Sequence, residues 1–346
     1  MKLLSIAVPS YNVEKTLGDT LGSLCIPALL PALDIMVIDD GSCDRTAEVA
    51  QQYVKRYPQS VRLISQPNKG HGGAVNTGIF AAVGKYFKVV DGDDTLDKQG
   101  LTRLLDTLKE EKADLVLAHY VRVPQGDFSN LQPMRFEHVE FDHVYQFGDL
   151  PIDKGLYFGI HSITIWTDIL RRHHVQLQEH TFYVDMEYGL LPIPFIKTIL
   201  FIDTVVYQYA VGSETQSVAT SSFVKRFADH DRVVRRLVRF NQETPLDAAR
   251  RAYTYSVLRK LCFTQYMIAA FYDADFRRGG WRARRFDAWL KQADNHLYKM
   301  MGENAYLRLL RHTRFQFPRT ATSKAIINGV YHVLKPILKV KKKFTY

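Results

Sequence analysis

Asp91-Gly92-Asp93-Asp94-Thr95 follows the apolar run Tyr86-Phe87-Lys88-Val89-Val90 and sets three carboxylates at the carboxyl end of a predicted β-strand. Carboxylates this close repel one another, which is costly unless positive charge sits among them. A hard divalent cation that also bridges a phosphorylated ligand meets that need, because Mg²⁺ and Mn²⁺ prefer oxygen donors and keep positions open for phosphates. An isolated Asp-x-Asp is ordinarily a solvated turn, so the surrounding sequence has to decide.

Two other segments bear on the decision. Asp39-Asp40-Gly41-Ser42, directly after Ile35-Met36-Val37-Ile38, can accept hydrogen bonds from a base N–H or from ribose hydroxyls. Ser42 or Asp44 can equally cap the helix that follows. Asn68-Lys69-Gly70-His71-Gly72-Gly73 through Asn76-Thr77-Gly78 brings glycines to the start of a helix, where the backbone can approach a ligand and anions are favoured. It has neither the Gly-Lys-Ser/Thr of a phosphate-binding P-loop nor G-x-G-x-x-G spacing, and a flexible turn is the competing reading.

The elements that must position these residues alternate. Leu3–Val8, Asp34–Ile38, Val61–Ile64, Tyr86–Val90 and Asp114–Ala118 read as strands; Glu14–Leu24, Asp44–Tyr57, Gly73–Val83 and Asp97–Lys112 read as helices. Such alternation with near-continuous apolar strands predicts an α/β fold with a mostly parallel sheet covered on both faces. Ligands of such sheets bind beyond the carboxyl ends of the strands. Pro9-Ser10-Tyr11-Asn12, the Asp39–Ser42 turn and the Asp91–Asp94 cluster all fall at those ends. Residues 120–155 read as loops and short strands, Ile160–His174 and Val184–Leu191 as helices, and the chain beyond Ser222 as mostly helical.

In order and spacing, Val8-Pro9-Ser10-Tyr11-Asn12, Val37-Ile38-Asp39-Asp40-Gly41-Ser42, Asn68-Lys69-Gly70 through Asn76-Thr77-Gly78, Gly84-Lys85-Tyr86 and Asp91-Gly92-Asp93-Asp94 resemble a family 2 glycosyltransferase of the GT-A (Rossmann-like) fold. The resemblance covers residues 1–215, a nucleotide-sugar-binding and catalytic domain, and leaves 216–346 as a basic, mainly helical region for acceptor or membrane-surface contacts. It implies that Pro9, Tyr11 and Glu14 line a nucleotide pocket, that Asp40 with Asp39 holds a uracil-type base, and that Lys69 and Gly70 lie against the nucleotide. It implies Asp91 on ribose or metal, Asp93 on Mn²⁺ or Mg²⁺, and Asp94 on sugar or acceptor. Thr181-Phe182-Tyr183-Val184-Asp185-Met186-Glu187-Tyr188 is similar to the family's Glu-Asp-x-x-Phe segment, which makes Asp185 the catalytic base; Val184 replaces the preceding acid, and Glu187 is a second carboxylate for the acceptor side. The basic residues that often follow a Tyr-x-Tyr strand in the family are missing after Tyr207-Gln208-Tyr209, where Gln216-Ser217 follow instead.

The activity so implied is an inverting, metal-dependent transfer from a UDP-type nucleotide sugar to a glycan or polyprenyl-linked hydroxyl, in cell-surface polysaccharide synthesis. The alternative is a nucleotide-sugar-binding scaffold subunit without turnover.

Composition constrains the setting. Three widely spaced cysteines, Cys25, Cys43 and Cys262, suggest neither a disulfide framework nor a zinc site, and a reducing cytoplasm fits. The start of the chain reads directly into a strand and is a poor signal peptide; no run reaches the roughly 18 apolar residues of a membrane span. The net charge of +10 is concentrated in the carboxyl-terminal third. That region reads as a solvated helical face or as an attachment to anionic lipid at the inner face of the plasma membrane, with the apolar positions of Ile326–Val340 and Lys341-Lys342-Lys343 as the anchor. No recognised nucleic-acid motif accompanies the arginines, and no nucleic-acid partner is expected.

Overall fold

The computed structural model describes residues 2–124, 127–212 and 220–316. The described residues of Met1–Leu150 and Phe158–Ser217 form one compact unit, and those of Pro151–Tyr157 and Val218–Tyr346 form a second.

The first unit is α/β. In chain order it comprises β1 (Leu4–Ser10), α1 (Leu17–Leu24), β2 (Leu33–Asp39), α2 (Thr46–Arg56), β3 (Val61–Ser65), α3 (Gly70–Ala81), β4 (Tyr86–Val89), β5 (Thr95–Leu96), α4 (Lys98–Glu110), β6 (Leu115–Pro124), β7 (Gln132–Met134), β8 (Val144–Gln146), β9 (Ile163–Trp166), α5 (Thr167–Arg172), α6 (Asp185–Leu190) and β10 (Thr198–Val211). The sheet order is β3-β2-β1-β4-β9-β6-β10-β5. β3, β2, β1 and β4 run parallel, as do β6 and β10. β9 lies antiparallel between β4 and β6.

Helix α4 illustrates how the sequence makes these layers. Asp97 caps it by accepting from the Gly100 N–H at 2.7 Å. Leu101, Leu104, Leu105 and Leu108 then recur at helical spacing and are all buried against the sheet. Ser10 pairs with Asp39 and Asp39 with Ser65, so the ends of β1, β2 and β3 reach one rim at one level.

Ile160–His174 is not one helix. Ile163-Thr164-Ile165 form strand β9, and helix begins only at Thr167. Consecutive β-branched side chains are stiff at χ1 and suit a pleated strand buried on both faces.

The second unit is helical: α7 (Thr220–Lys225), α8 (Phe227–Glu243), α9 (Ala248–Met267) with a π-helical extension Ile268–Tyr272, α10 (Phe276–Ala293), α11 (Asn295–Met301) and α12 (Ala305–His312). Among the described residues no helix is long and apolar enough to cross a membrane. The tail read as an anchor, Ile326–Lys343, lies outside the described residues, as do Gln216 and Ser217.

Candidate active site

The turns after β1 and β2 are laced together. Asn12, at φ 54, adopts the left-handed conformation that asparagine tolerates. Its Oδ1 accepts the Cys43 N–H at 2.8 Å and its own N–H donates to Ser42 Oγ at 3.1 Å. Glu14, expected in the nucleotide pocket, accepts the Arg45 N–H at 2.9 Å and ties the same two turns. Pro9 is buried in β1, while Tyr11 is 51% exposed at the rim.

Asp39 and Asp40 are both buried. Asp39 Oδ1 accepts the Ser42 N–H at 3.1 Å, closing the turn. Asp40 joins three segments: its N–H donates to Ser10 O at 2.9 Å, and its Oδ1 accepts from Gln66 Nε2 at 2.7 Å and Lys69 N at 2.8 Å. It thus fixes the entry to α3. Lys69 Nζ lies 3.8 Å from Glu179 Oε1.

From the first turn of α3, His71 Nε2 reaches Asp91 Oδ1 at 2.8 Å. Burial disfavours the Asp91 carboxylate, but the charge and hydrogen bond of His71, with His161 behind, outweigh it and hold its pKa below the ordinary value. Burial likewise works against the His71 cation, and Asp91, Asp185 and Asp93 together outweigh that and raise it. Asp93 keeps an exposed edge, yet partial burial in the cleft, with the charge of Asp91, pushes it up to about 6.

Asp94 does not face an open sugar or acceptor pocket. It is 1% exposed, with Oδ2 accepting from Tyr207 OH at 2.6 Å and Oδ1 from Ala210 N at 2.8 Å, so it pins β10. Burial and its acidic neighbours Asp91 and Asp93 raise its pKa well above the usual range. Donor atoms of Asp91, Asp94 and His161 lie within 4.8 Å of one another. This grouping takes Asp94 and His161 as companions of Asp91, and Asp93 is not in it. Burial lowers His161 to about 4, keeping the imidazole neutral and its lone pair available. Asp91, the neutral His161 imidazole and Asp94, whose ionised form a bound cation would favour, offer a mixed oxygen and nitrogen donor set.

His161 stands in an aromatic enclosure, stacked on Tyr209 at 4.4 Å and 5.0 and 4.9 Å from Tyr120 and Tyr207. Below it, buried Lys88 donates to His161 O at 2.7 Å and Ile163 O at 3.2 Å. Neither His71 nor His161 was singled out by the sequence reading. His71 had a signal, a histidine inside a glycine-rich helix start; His161 had none.

Asp185 opens α6, and the segment before it is clamped to α3. Gly70, at φ +74, approaches His180 so closely that a Cβ would come within 3.2 Å of its backbone; at Gly72 a Cβ would meet Gln178 O at 2.2 Å. These glycines therefore make room for residues 178–180. Asn76 and Leu177 exchange two hydrogen bonds of 2.9 and 2.8 Å. Glu187, the second carboxylate expected at the acceptor, is fully buried and accepts the Gln178 N–H at 2.8 Å. It also accepts from Gln178 Nε2, which fastens it to the clamped segment. Asp185 instead shares the cleft: burial raises its pKa, Asp91 adds to the rise and His71 opposes it.

A sheet whose parallel strands carry acidic turns to one rim, with a helix-borne carboxylate meeting them there, is the GT-A arrangement of glycosyltransferases. Residues 5–172 match the family model described as glycosyl transferase family 2, which identifies that region as a domain of this family. It is 40% identical over 114 residues to the uncharacterized glycosyltransferase EpsJ of Bacillus subtilis, covering 33% of each chain. It is 36% identical over 116 residues to chondroitin synthase of Escherichia coli, covering 34% of this chain and 16% of that one. The matched stretch spans only about a third of EpsJ's own length. Among solved structures, S. aureus TarS 1-349 in complex with UDP superposes with a TM-score of 0.58 at 18% identity, over 89% of this chain and 92% of that one. A mannosyltransferase from Pyrobaculum calidifontis, in complex with GDP-Man and Mn²⁺, gives 0.51 at 14% identity, over 88% and 80%.

Proposed function

We propose that this protein transfers a sugar from a nucleotide sugar, a UDP-sugar in the first instance, to a hydroxyl on a glycan or lipid-linked acceptor, with inversion, during cell-surface polysaccharide synthesis. The observation that carries the reading is the convergence at one rim of His71, 2.8 Å from Asp91, with Asp94 and His161, whose donor atoms and those of Asp91 lie within 4.8 Å of one another; the charges of His71 and Asp91 also reach Asp185. Relatives that bear the names of glycosyltransferases, and fold neighbours with UDP or GDP-Man bound, support it.

Tyr11 and Asp40 would receive the base, with Asp39 and the turn after β2 beside the ribose. Asp91, Asp94 and His161 would hold a divalent cation, with Asp93 at the open edge. The cation supplies positive charge for the leaving nucleoside diphosphate. Asp185 accepts the acceptor hydroxyl proton as that oxygen attacks the anomeric carbon. Its raised pKa makes it a stronger base than an ordinary carboxylate, and with no enzymic nucleophile assigned the displacement is single. Attachment to an anionic membrane surface through the basic second unit belongs to the same proposal.

The test is a thermal-shift panel of UDP- and GDP-sugars with and without Mn²⁺. A donor that binds only the folded state raises the melting temperature, by an amount set by its concentration over Kd. A shift with UDP-sugars that needs Mn²⁺, followed by product formation with a hydroxyl acceptor, is the expected result. Binding without any turnover would instead support the scaffold reading.

A further inference from the structure

The second unit carries a solvent face that donor chemistry leaves unused. Helix α10 buries Gly279, Gly280, Ala283, Phe286 and Leu290 along one side. On the opposite side, at the centre of the outward face, stands Trp281, 50% exposed. Arg277 and Arg285 lie one turn before and one turn after it, the spacing that puts side chains on a common stripe. The Arg285 guanidinium is 4.6 Å from the Trp281 ring centroid. Phe276, 45% exposed, and Tyr272, 39% exposed, add two more rings at the amino-terminal end.

The carboxylates nearby are directed elsewhere. Asp287 accepts from Tyr266 OH at 2.6 Å and Arg311 Nε at 2.8 Å, and Asp273 is engaged by Arg278 and Arg282. Arg277 and Arg285 have no carboxylate partner among the described residues. Asp275, exposed at the start of α10, has Oδ1 turned to the Arg277 and Arg278 N–H groups at 3.1 Å, so the face is apolar rings set in net positive charge.

Charge decides what can cover it. Residues 317–346 are a poor candidate: they carry Arg319, Lys324, Lys335, Lys339 and Lys341-Lys342-Lys343 and no acidic side chain. A second copy of the same face would meet its own arginines. The occupant must be anionic. Three large exposed rings beside the arginines fit the boundary of a bilayer, where tryptophan and tyrosine seat their apolar bodies and arginine reaches headgroup phosphates. A nucleic acid would satisfy the charge and leave those rings less well buried.

We propose that the Arg277–Trp281–Arg285 face of α10, with Tyr272 and Phe276, docks this protein on an anionic phospholipid surface. This rests on the membrane attachment proposed above and names the face that makes it.

The experiment is sedimentation of the full chain with vesicles of phosphatidylcholine alone and of phosphatidylcholine and phosphatidylglycerol in equal parts. Wild type is expected to bind only the anionic vesicles, and Arg277→Gln/Arg285→Gln to bind about thirtyfold more weakly, each arginine contributing roughly a fivefold effect near a charged bilayer. With brominated acyl chains, tryptophan fluorescence should be quenched in wild type and not in Trp281→Phe, which locates the contact without relying on a charge change. Circular dichroism checks that both variants are folded. Wild-type binding that both variants retain, with quenching unchanged in Trp281→Phe, overturns this face and leaves the attachment to another part of the chain. No wild-type binding to anionic vesicles overturns both, as does a gel shift with nucleic acid that the arginine variant abolishes while vesicles stay unbound.

Discussion

Tyr207 donates its hydroxyl to Asp94 Oδ2 at 2.6 Å, and the same oxygen accepts the Asp91 N–H at 3.1 Å. One phenol from β10 thereby ties two acids of the cluster across 113 residues of sequence. Tyr207→Phe keeps the ring and removes both bonds, leaving a buried carboxyl and a half-buried N–H short of partners. The expected cost is about 1–3 kcal/mol of stability, with a weaker Mn²⁺-dependent shift in melting temperature. Urea unfolding with and without Mn²⁺ measures both. Wild-type values in each would remove Tyr207 from the support of the site.

Asp185 makes a prediction about pH. A general base must be deprotonated to act, so transfer falls as pH drops through its pKa. Burial and Asp91 raise that pKa, which places the acid limb of kcat/KM above the range of an exposed carboxylate. Asp185→Asn should retain the donor-induced thermal shift and lose transfer by at least about a hundredfold. Transfer at the wild-type rate in that variant would assign the base elsewhere.

The rim turns were legible because each is a short run standing directly after an apolar strand, as Asp39-Asp40-Gly41-Ser42 follows Ile35–Ile38. Contiguity carries both the chemistry and its place in the fold. His161 was not legible, because it joins the cluster only through antiparallel strand β9, inserted between β4 and β6, in a stretch read as helix. The same limit applies to Asp94 and Glu187. Sequence marks them as carboxylates near a site, but their burial depends on Tyr207, Ala210 and Gln178, which pack against them only in the folded chain.

The clamp before Asp185 can be loosened without touching a charged group. At Gly72 a Cβ would sit 2.2 Å from Gln178 O, whereas at Gly148 it would meet nothing within 4 Å. Gly72→Ala must therefore displace residues 177–180 from α3. The expected loss is about 1–3 kcal/mol, as for other over-packed sites, with a fall in transfer larger than the fall in donor affinity, since Asp185 follows the displaced segment. Gly148→Ala is the control and should be near neutral. Equal melting temperatures for the two variants would show that the clamp yields freely.

Lys88 gives the sharpest dependence on pH. Burial lowers its pKa from 10.5 to about 7, with two carbonyl oxygens and the Tyr207 ring, 5.4 Å away, as its partners and no carboxylate among the described residues bonded to it. Between those two values the unfolded chain binds more protons than the folded one, so this residue makes stability rise with pH across that window. Below it, the full cost of a buried ammonium is present; above 10.5 both states are neutral and the cost is gone. Lys88→Met lacks this dependence while sharing every other titrating group. The stability of wild type relative to Lys88→Met should thus increase between about pH 7 and about pH 9.5, read from urea midpoints at the two conditions. A constant difference would mean that Lys88 keeps an ordinary pKa, through water or an anion reaching its ammonium in the folded protein.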